Sequence, residues 1–349
     1  MAGEARHGDL TPLLEVVAEG RGLTAEQAEA AFDRFMDGSA EHVQMAALLM
    51  GLRTRGVLPV EVAGGVRALR KAMVRVHSAD PDALIDTAGT GGGAVGTFNI
   101  STAAALVAAG AGLPVAKHGN RSFTSRCGSA DVLEALGVAI ELTPDRMAEV
   151  LAEAGIVFMF APLLHPAMRH VGPVRRALGV TTIMNVLGPL TNPAGARRQV
   201  VGVSDPALQP LVAGALRELG HLRAVVIHGA PGMDEVSPVG VTRVLELTDG
   251  RITEYDISPE GLDVEPASEL DGLRGGDPAL NASLIEQVLA GAHGPARSAV
   301  VLNAAAALLV GGAADTWEAC ARLAEACLDD GRAAAALERL RASSRRVTT

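Results

Sequence analysis

The chain is 349 residues long, enough for a large hydrophobic core and two lobes. Thirty Lys and Arg against forty Asp and Glu give a formal net charge of −10, which argues against general binding to nucleic acid or to an anionic membrane. Cys127, Cys320 and Cys327 show neither metal-ligand spacing nor a disulfide framework, which suits a reducing cytoplasm, and aromatic residues at 2 % leave the core to close through Ala, Val and Leu.

The opening MAGEARHGDL has no apolar core, so a signal peptide is not expected. To about residue 75 the pattern is helical throughout. Thr24 with Gln27 forms a capping box before AEAAFDRFM, and Gly38 ends that helix. Helices are predicted over Glu41–Arg53 and Pro59–Val74, with Pro59 in a first turn. The polar HSADPD, His77 to Asp82, marks a boundary. We therefore expect a helical domain over 1–78, joined by helices from about 165–185, and an α/β domain over 79–349.

From Leu84 short β-branched runs alternate with helices. Predicted strands are Leu84–Thr87, Pro114–Lys117, Val138–Ile140, Ile156–Phe160, Val200–Val203 and Ala224–His228, with helices starting near Ser101, Ser129, Pro144 and Pro206. This alternation predicts a mostly parallel sheet covered on both faces. Asp249-Gly250 centres a hairpin from Val241 to Ile257, which adds an antiparallel edge. His165–Leu178 reads as helix broken at Gly172-Pro173. Ala299–Ala314 is shorter than the roughly 20 residues of a membrane span and reads as a buried helix; Cys320 and Cys327, seven apart, read as one buried helix face. The C-terminal hundred or so residues are mainly helical.

Two loops carry the chemistry. The first, GTGGGAVGTFNIST from Gly89 to Thr102, offers glycines, amides and hydroxyls; the second, KHGNRSFTS from Lys117 to Ser125, offers cations and an amide. Each follows an apolar run, so both emerge from strand ends. Small residues let backbone approach an anion, a helix start points N–H groups at it, and Lys and Arg supply charge. Together they form a cradle for a heavily phosphorylated small molecule. A dinucleotide fold would require an acidic residue where Lys117-His118 stand, and a P-loop a lysine where Gly96 meets Thr97. The adjacent carboxylates Asp234 and Glu235 follow an apolar strand and suit a hard cation, although such a pair in a loop is more often simply solvated.

These loops, with GSADVLEALG at Gly128, HPAM at His165, NVLGPLTNP at Asn185, His228-Gly229, Asp234-Glu235 and LNAAAAL at Leu302, resemble the anthranilate phosphoribosyltransferases in consistent order from about Leu13 to Leu340. The resemblance implies a nucleoside phosphorylase-like architecture, an active site in the cleft between the two domains and a homodimer formed through the helical domains. The implied reaction is transfer of the phosphoribosyl group of phosphoribosyl pyrophosphate to the amine of anthranilate, in tryptophan biosynthesis, with Mg²⁺. By motif, Gly89, Gly92, Gly93, Thr97, Asn99, Ile100, Ser101 and Thr102 line the pyrophosphate and ribose. Lys117, His118, Gly119, Asn120, Arg121, Ser122, Phe123, Thr124, Ser125 and Ser129 complete the phosphoribosyl site. Gly89, Asn120 and Arg175 meet anthranilate, and Ser101, Asp234 and Glu235 hold the metal; no general base is assigned, since an aromatic amine is already neutral at pH 7.

Ser101 and Thr102 serve equally as helix caps, and His118 and His165 either flank the acceptor path or are structural. Gly93 departs from the GTGGD of the family, and Thr181-Thr182 replace its arginine–threonine before the next apolar run. A substituted anthranilate in a specialised pathway, a pyrimidine nucleoside phosphorylase and a nucleic-acid-binding relative remain as alternatives, the last opposed by the net charge and the carboxylate pair.

Overall fold

The computed structural model describes residues 8–91, 95–122 and 126–346. Four helices come first: α1 (Thr11–Ala18), α2 (Ala25–Met36), α3 (His42–Arg55) and α4 (Pro59–Ala72). The Thr24 hydroxyl accepts from the Gln27 amide at 3.2 Å while the Gln27 side chain accepts from Thr24 N–H at 2.9 Å, so the expected capping box starts α2. Buried Glu61 ties α4 to its neighbours by accepting from the Leu23 amide at 2.9 Å and pairing with Arg55 at 2.5 Å.

The remainder alternates. In order come β1 (Ile85–Gly89), α5 (Ile100–Gly110), β2 (Val115–Gly119), α6 (Ser129–Ala135), α7 (Pro144–Ala154), β3 (Ile156–Phe160), α8 (Ala161–Leu164), α9 (Met168–Leu178) and α10 (Met184–Leu187). Then follow β4 (Arg198–Gly202), α11 (Leu208–Glu218), β5 (Arg223–Gly229), β6 (Thr242–Thr248) and β7 (Arg251–Ile257). Four helices close the chain: α12 (Pro278–Leu289), α13 (Pro295–Gly311), α14 (Trp317–Asp329) and α15 (Arg332–Arg345). No helix among the described residues is long and apolar enough to cross a membrane.

The sheet runs β3-β2-β1-β4-β5-β6-β7, parallel from β3 through β5 and antiparallel beyond. The predicted hairpin is present. Asp249 and Gly250 both take positive φ, 51° and 75°, the twist a two-residue turn between right-twisted strands needs.

Each sheet face has its own core. One packs α5, α7, α13, α14 and α15, and its contacts are made largely by alanines of α5 and α13, so the backbones lie close. The other joins α1–α4, α9 and α10 to α11 and to Val201, Val226 and Leu245 of the sheet. Cys320 and Cys327 are both buried on α14, and α13 is the buried helix expected near Ala299.

Two expectations fail. Val138–Ile140 is not a strand. The Val138 amide closes the end of α6 on the Leu133 carbonyl at 2.9 Å, and the Ala139 amide donates to the Ser344 hydroxyl at 3.1 Å, so helix ends take the partners a strand would need. The break at Gly172-Pro173 is also absent: α9 runs unbroken through both, losing one N–H at Pro173, and the chain bends earlier, between α8 and α9.

Candidate active site

Strand β1 lies between β2 and β4, so the chain moves outward on one side through β2 and β3 and then crosses to the other side for β4 and β5. A ligand crevice forms where such an order reverses, beyond the carboxyl ends of the strands. Here those ends are Gly89 and Gly202, paired in register, with the Thr90 amide donating to Gly202 O at 2.9 Å.

Both glycines are required by what rests on them. A Cβ at Gly89 would stand 2.8 Å from Asp234 Oδ2, and one at Gly202 would stand 2.6 Å from the Asp234 carbonyl carbon, with the oxygen closer still. The β5–β6 loop thus lies directly across the two strand ends. It brings Asp234 Oδ2 to the Gly91 amide at 3.2 Å and Glu235 Oε1 to the Ser101 amide at 3.1 Å, at the start of α5. Behind the loop, Asn303 of α13 accepts from the Val236 amide at 2.8 Å and donates to its carbonyl at 3.0 Å.

Asp234 and Glu235 keep part of their surface open, yet protein crowds them on most sides. That desolvation raises both pKa values, Glu235 to about 8 with Asp234 adding to the rise and Lys117 and Ser101 opposing it. Neither has an ion-pair partner among the described residues. Lys117, in β2, is fully buried and points back into the sheet, its Nζ donating to Thr87 O at 2.7 Å and Thr87 Oγ1 at 3.0 Å. Burial lowers its pKa, against the attraction of Asp86 and Glu235. Asp86 accepts from Asn192 Nδ2 at 2.8 Å, the His118 amide at 3.2 Å and Gln199 Nε2 at 3.3 Å, and burial raises its pKa. Two carboxylates, Asp86 and Glu235, therefore act on one buried lysine. Two adjacent acids with oxygen donors, a partly open face and no cation of their own suit a divalent oxygen-binding ion.

The remaining predicted residues are distributed unevenly. Thr97 bridges Arg274 and the Phe98 amide donates to Leu273 O at 2.9 Å, so the end of the first loop is held by an isolated antiparallel bridge. Asn99 accepts from Asn281 Nδ2 at 2.9 Å and donates to Cys127 O at 3.3 Å, linking the two loops. Ile100 and Thr102 are buried, so Ile100 offers backbone alone, and the Thr102 hydroxyl has no partner among the described residues. Gly119 ends β2; the Ser129 hydroxyl donates to Asn120 O at 3.3 Å, and Asn120 Oδ1 accepts from the Arg121 amide at 2.7 Å. Arg121 turns toward α6, pairing with Asp131 at 3.0 Å and with Glu134, while the Ser122 amide donates to Asp131 Oδ2 at 3.2 Å. Gly92, Gly93, Phe123, Thr124 and Ser125 lie outside the described residues.

His118 and His165 meet Nε2 to Nε2 at 3.2 Å. Burial lowers both, His118 to about 3 and His165 to about 4, so each is a neutral ring at pH 7 and one donates to the other. Arg175 is half-buried on α9 with no ion pair or side-chain hydrogen bond among the described residues, and desolvation lowers its pKa; Arg176 beside it is exposed. No hydrogen bond joins Arg175 to Asn120. Thr181 accepts from Arg53 of α3, and Thr182 exchanges caps with the start of α10, its amide donating to Asn185 Oδ1 at 3.0 Å.

Sequence reading missed Asp86, Asn192, Gln199 and Asn281, which hold the two loops in place from behind. The available signals were a charged residue inside the apolar ALIDT run, for Asp86, and the NVLGPLTNP segment, for Asn192.

Fold and site together define a glycosyl-transferring enzyme: residues 11–73 match the helical bundle domain of the glycosyl transferase family and residues 81–334 its a/b domain. The chain is 51 % identical to the anthranilate phosphoribosyltransferase of Rubrobacter xylanophilus over 339 residues, covering 97 % of this chain and 98 % of that one. Among solved structures, the anthranilate phosphoribosyltransferase of Thermus thermophilus superposes with a TM-score of 0.90 at 43 % identity, covering 95 % of this chain and 99 % of that one. The Saccharomyces cerevisiae enzyme in complex with phosphoribosyl pyrophosphate and Mg gives 0.85 at 26 %, covering 97 % and 99 %. The chain belongs to the anthranilate phosphoribosyltransferase family.

Proposed function

We propose that this chain joins phosphoribosyl pyrophosphate to the amine of anthranilate, giving N-(5-phosphoribosyl)anthranilate and pyrophosphate in tryptophan biosynthesis. The observation that carries the reading is the convergence at one sheet crevice of the Gly89–Thr102 loop, the end of β2 and the Asp234-Glu235 pair. The amine attacks C1 of the ribose as the C1–oxygen bond to pyrophosphate breaks, and the nitrogen then gives up one proton to the released pyrophosphate or to water. The nucleophile is neutral, so the work left to the protein is placing two substrates and meeting the charge of the leaving group.

Amides at the start of α5, with Thr97, Asn99, Ser101 and Thr102, line the pyrophosphate and ribose, joined by Gly89, Gly92, Gly93 and Ile100. Residues 117–125 and Ser129 complete the phosphoribosyl site. Lys117 acts there through its charge, because its amine is hydrogen-bonded to Thr87. Arg121 must exchange its α6 carboxylates to reach a phosphate. Ser101, Asp234 and Glu235 would hold Mg²⁺, which when bound would supply positive charge against the pyrophosphate. That assignment rests on the donor set: oxygen ligands, uncompensated charge, and pKa values that a bound cation would return toward the carboxylate range. Arg175, half-buried and unpaired among the described residues, receives the anthranilate carboxylate, with Gly89 and Asn120 beside the ring. The neutral His118–His165 pair brings no positive charge to the leaving group, and burial leaves both rings weak bases.

In this reading the helical domain over 1–78 and helices from about 165–185 form one wall of the cleft and residues 79–349 the other, and two chains associate through the helical domains. The test is incubation of the purified chain with phosphoribosyl pyrophosphate, Mg²⁺ and a panel of aromatic amines, with products identified by mass. Product from anthranilate is expected. Product from only a ring-substituted amine, or phosphorolysis of a pyrimidine nucleoside instead, would replace the assignment.

A further inference from the structure

Away from the crevice, a cavity of about 190 Å³ opens at the first turn of α13, lined by Glu265, His293, Gly294, Arg297, Glu325 and Asp329. Arg297 is 7 % exposed; its Nη2 donates to Asp329 at 2.6 Å, and its Nη1 is buried without a partner among the described residues. Helix α13 begins without a side-chain cap, and Pro295 at its first position has no N–H. The Ser298 amide bonds Gly294 O at 3.2 Å, which leaves the Ala296 and Arg297 amides free at the positive end of a 17-residue helix. On the same wall Glu325 has no hydrogen bond or ion pair among the described residues, and burial raises its pKa against the attraction of Arg297 and His293.

One cavity thus holds an unsatisfied guanidinium nitrogen at a helix N-terminus and a half-buried carboxylate with no partner among the described residues. A phosphate would meet Glu265, Glu325 and Asp329; a simple cation would meet Arg297 and the helix end. We propose that this cavity binds a small zwitterion of the free α-amino-acid class, its carboxylate on Arg297 and the first amides of α13 and its ammonium on Glu325, and that occupancy is felt at the phosphoribosyl site.

The second clause rests on the function proposed above and on two contacts of α13. Pro295 packs on Gly272, where an added Cβ would stand 2.9 Å from it; the adjoining Leu273 and Arg274 carry Phe98 and Thr97 of the first loop. About 12 Å further along the helix, Asn303 clamps Val236 beside Glu235. One helix therefore supports both the Gly89–Thr102 loop and the Asp234-Glu235 loop and lines the cavity.

The test is calorimetric titration of the full chain with each free proteinogenic L-amino acid, followed by the N-acetyl and carboxamide forms of any that binds. We expect saturable binding of at least one, weakened about tenfold or more by either blocked end and by Arg297→Gln and Glu325→Gln. The saturating ligand should shift the KM for phosphoribosyl pyrophosphate in the wild type and not in Glu325→Gln. Glu325→Gln decides if the arginine variant folds poorly, because no hydrogen bond among the described residues depends on that carboxylate. Absence of binding up to about 10 mM, equal binding of blocked forms, or wild-type affinity in Glu325→Gln would overturn the site. Binding with an unchanged KM would overturn the coupling. Since binding is measured directly, an inactive chain would leave the site itself testable.

Discussion

Replacing Gly202 with alanine tests whether the carboxylate loop owes its position to the bare end of β4. The new Cβ would stand 2.6 Å from the Asp234 carbonyl carbon and 3.2 Å from its Cα, and ordinary contact begins at 3.4 Å. These are backbone atoms, so no rotamer change relieves the overlap. The carbonyl oxygen lies nearer still, so the loop must withdraw by more than about 1 Å, and Asp234 and Glu235 move with it. A misplacement of that size in a preorganised site costs roughly a hundredfold in rate, while overpacking costs about 1–3 kcal/mol of stability, which a chain of this size survives. The assay is kcat/KM for phosphoribosyl pyrophosphate across a Mg²⁺ titration, with thermal melting alongside. Gly261→Ala is the control, since its nearest non-neighbouring atom would lie at 3.5 Å. We expect Gly202→Ala to melt somewhat lower, lose about two decades of activity and need more Mg²⁺. A folded Gly202→Ala chain with wild-type rate and metal requirement would refute the argument that the strand end positions the metal pair.

Three further outcomes are expected. Arg175→Ala should raise the KM for anthranilate by about one to two decades, from a lost charge-assisted hydrogen bond of roughly 1.5–3 kcal/mol, and leave that for phosphoribosyl pyrophosphate nearly unchanged; equal losses would make the arginine structural. Asp234→Asn with Glu235→Gln should abolish Mg²⁺-dependent turnover and Mg²⁺-induced stabilisation together, a loss of several kcal/mol at the transition state. His118 and His165 titrate below the ordinary histidine value of 6.5, to about 3 and about 4. As pH falls from 6.5 toward 4 the unfolded chain takes up protons that the native rings refuse, so stability contributed by their neutral burial is lost in that window. Chemical denaturation at about pH 7.5 and about pH 5 should show a smaller acid loss for His165→Gln than for the wild type, and an equal loss would remove the pair from the explanation.

Local signals were readable in the chain. Thr24 with Gln27 and Asp249-Gly250 each carry their geometry in a few consecutive residues. Val138–Ile140 misled because its apolar run suits a strand, whereas Gly137 at φ 81° turns it into the end of α6. Gly172-Pro173 misled because a proline breaks an isolated helix, while α9 buries Val171 and Val174 on either side and holds the helix through it. Lys117 was read as the head of the second loop, whereas it lies within β2, and its inward direction depends on Thr87 of the neighbouring strand, thirty residues away. The backing of the site by Asp86, Asn192, Gln199 and Asn303 is made entirely of such distant contacts, and a linear pattern does not carry them.

The second core has a consequence for anyone who would cut this chain into parts. Its apolar surface is shared by residues 10–69, by Val171 to Leu190, and by sheet positions as far along as Leu247. An N-terminal fragment would leave α9, α10 and one face of the sheet uncovered, and α4 itself would lose its packing against α10 and α11. A helical bundle grafted from a relative would have to bring the 165–190 segment with it and match α11 as well. Recombination between family members should therefore tolerate joints in the outer hairpin far better than the apparently natural joint near residue 77.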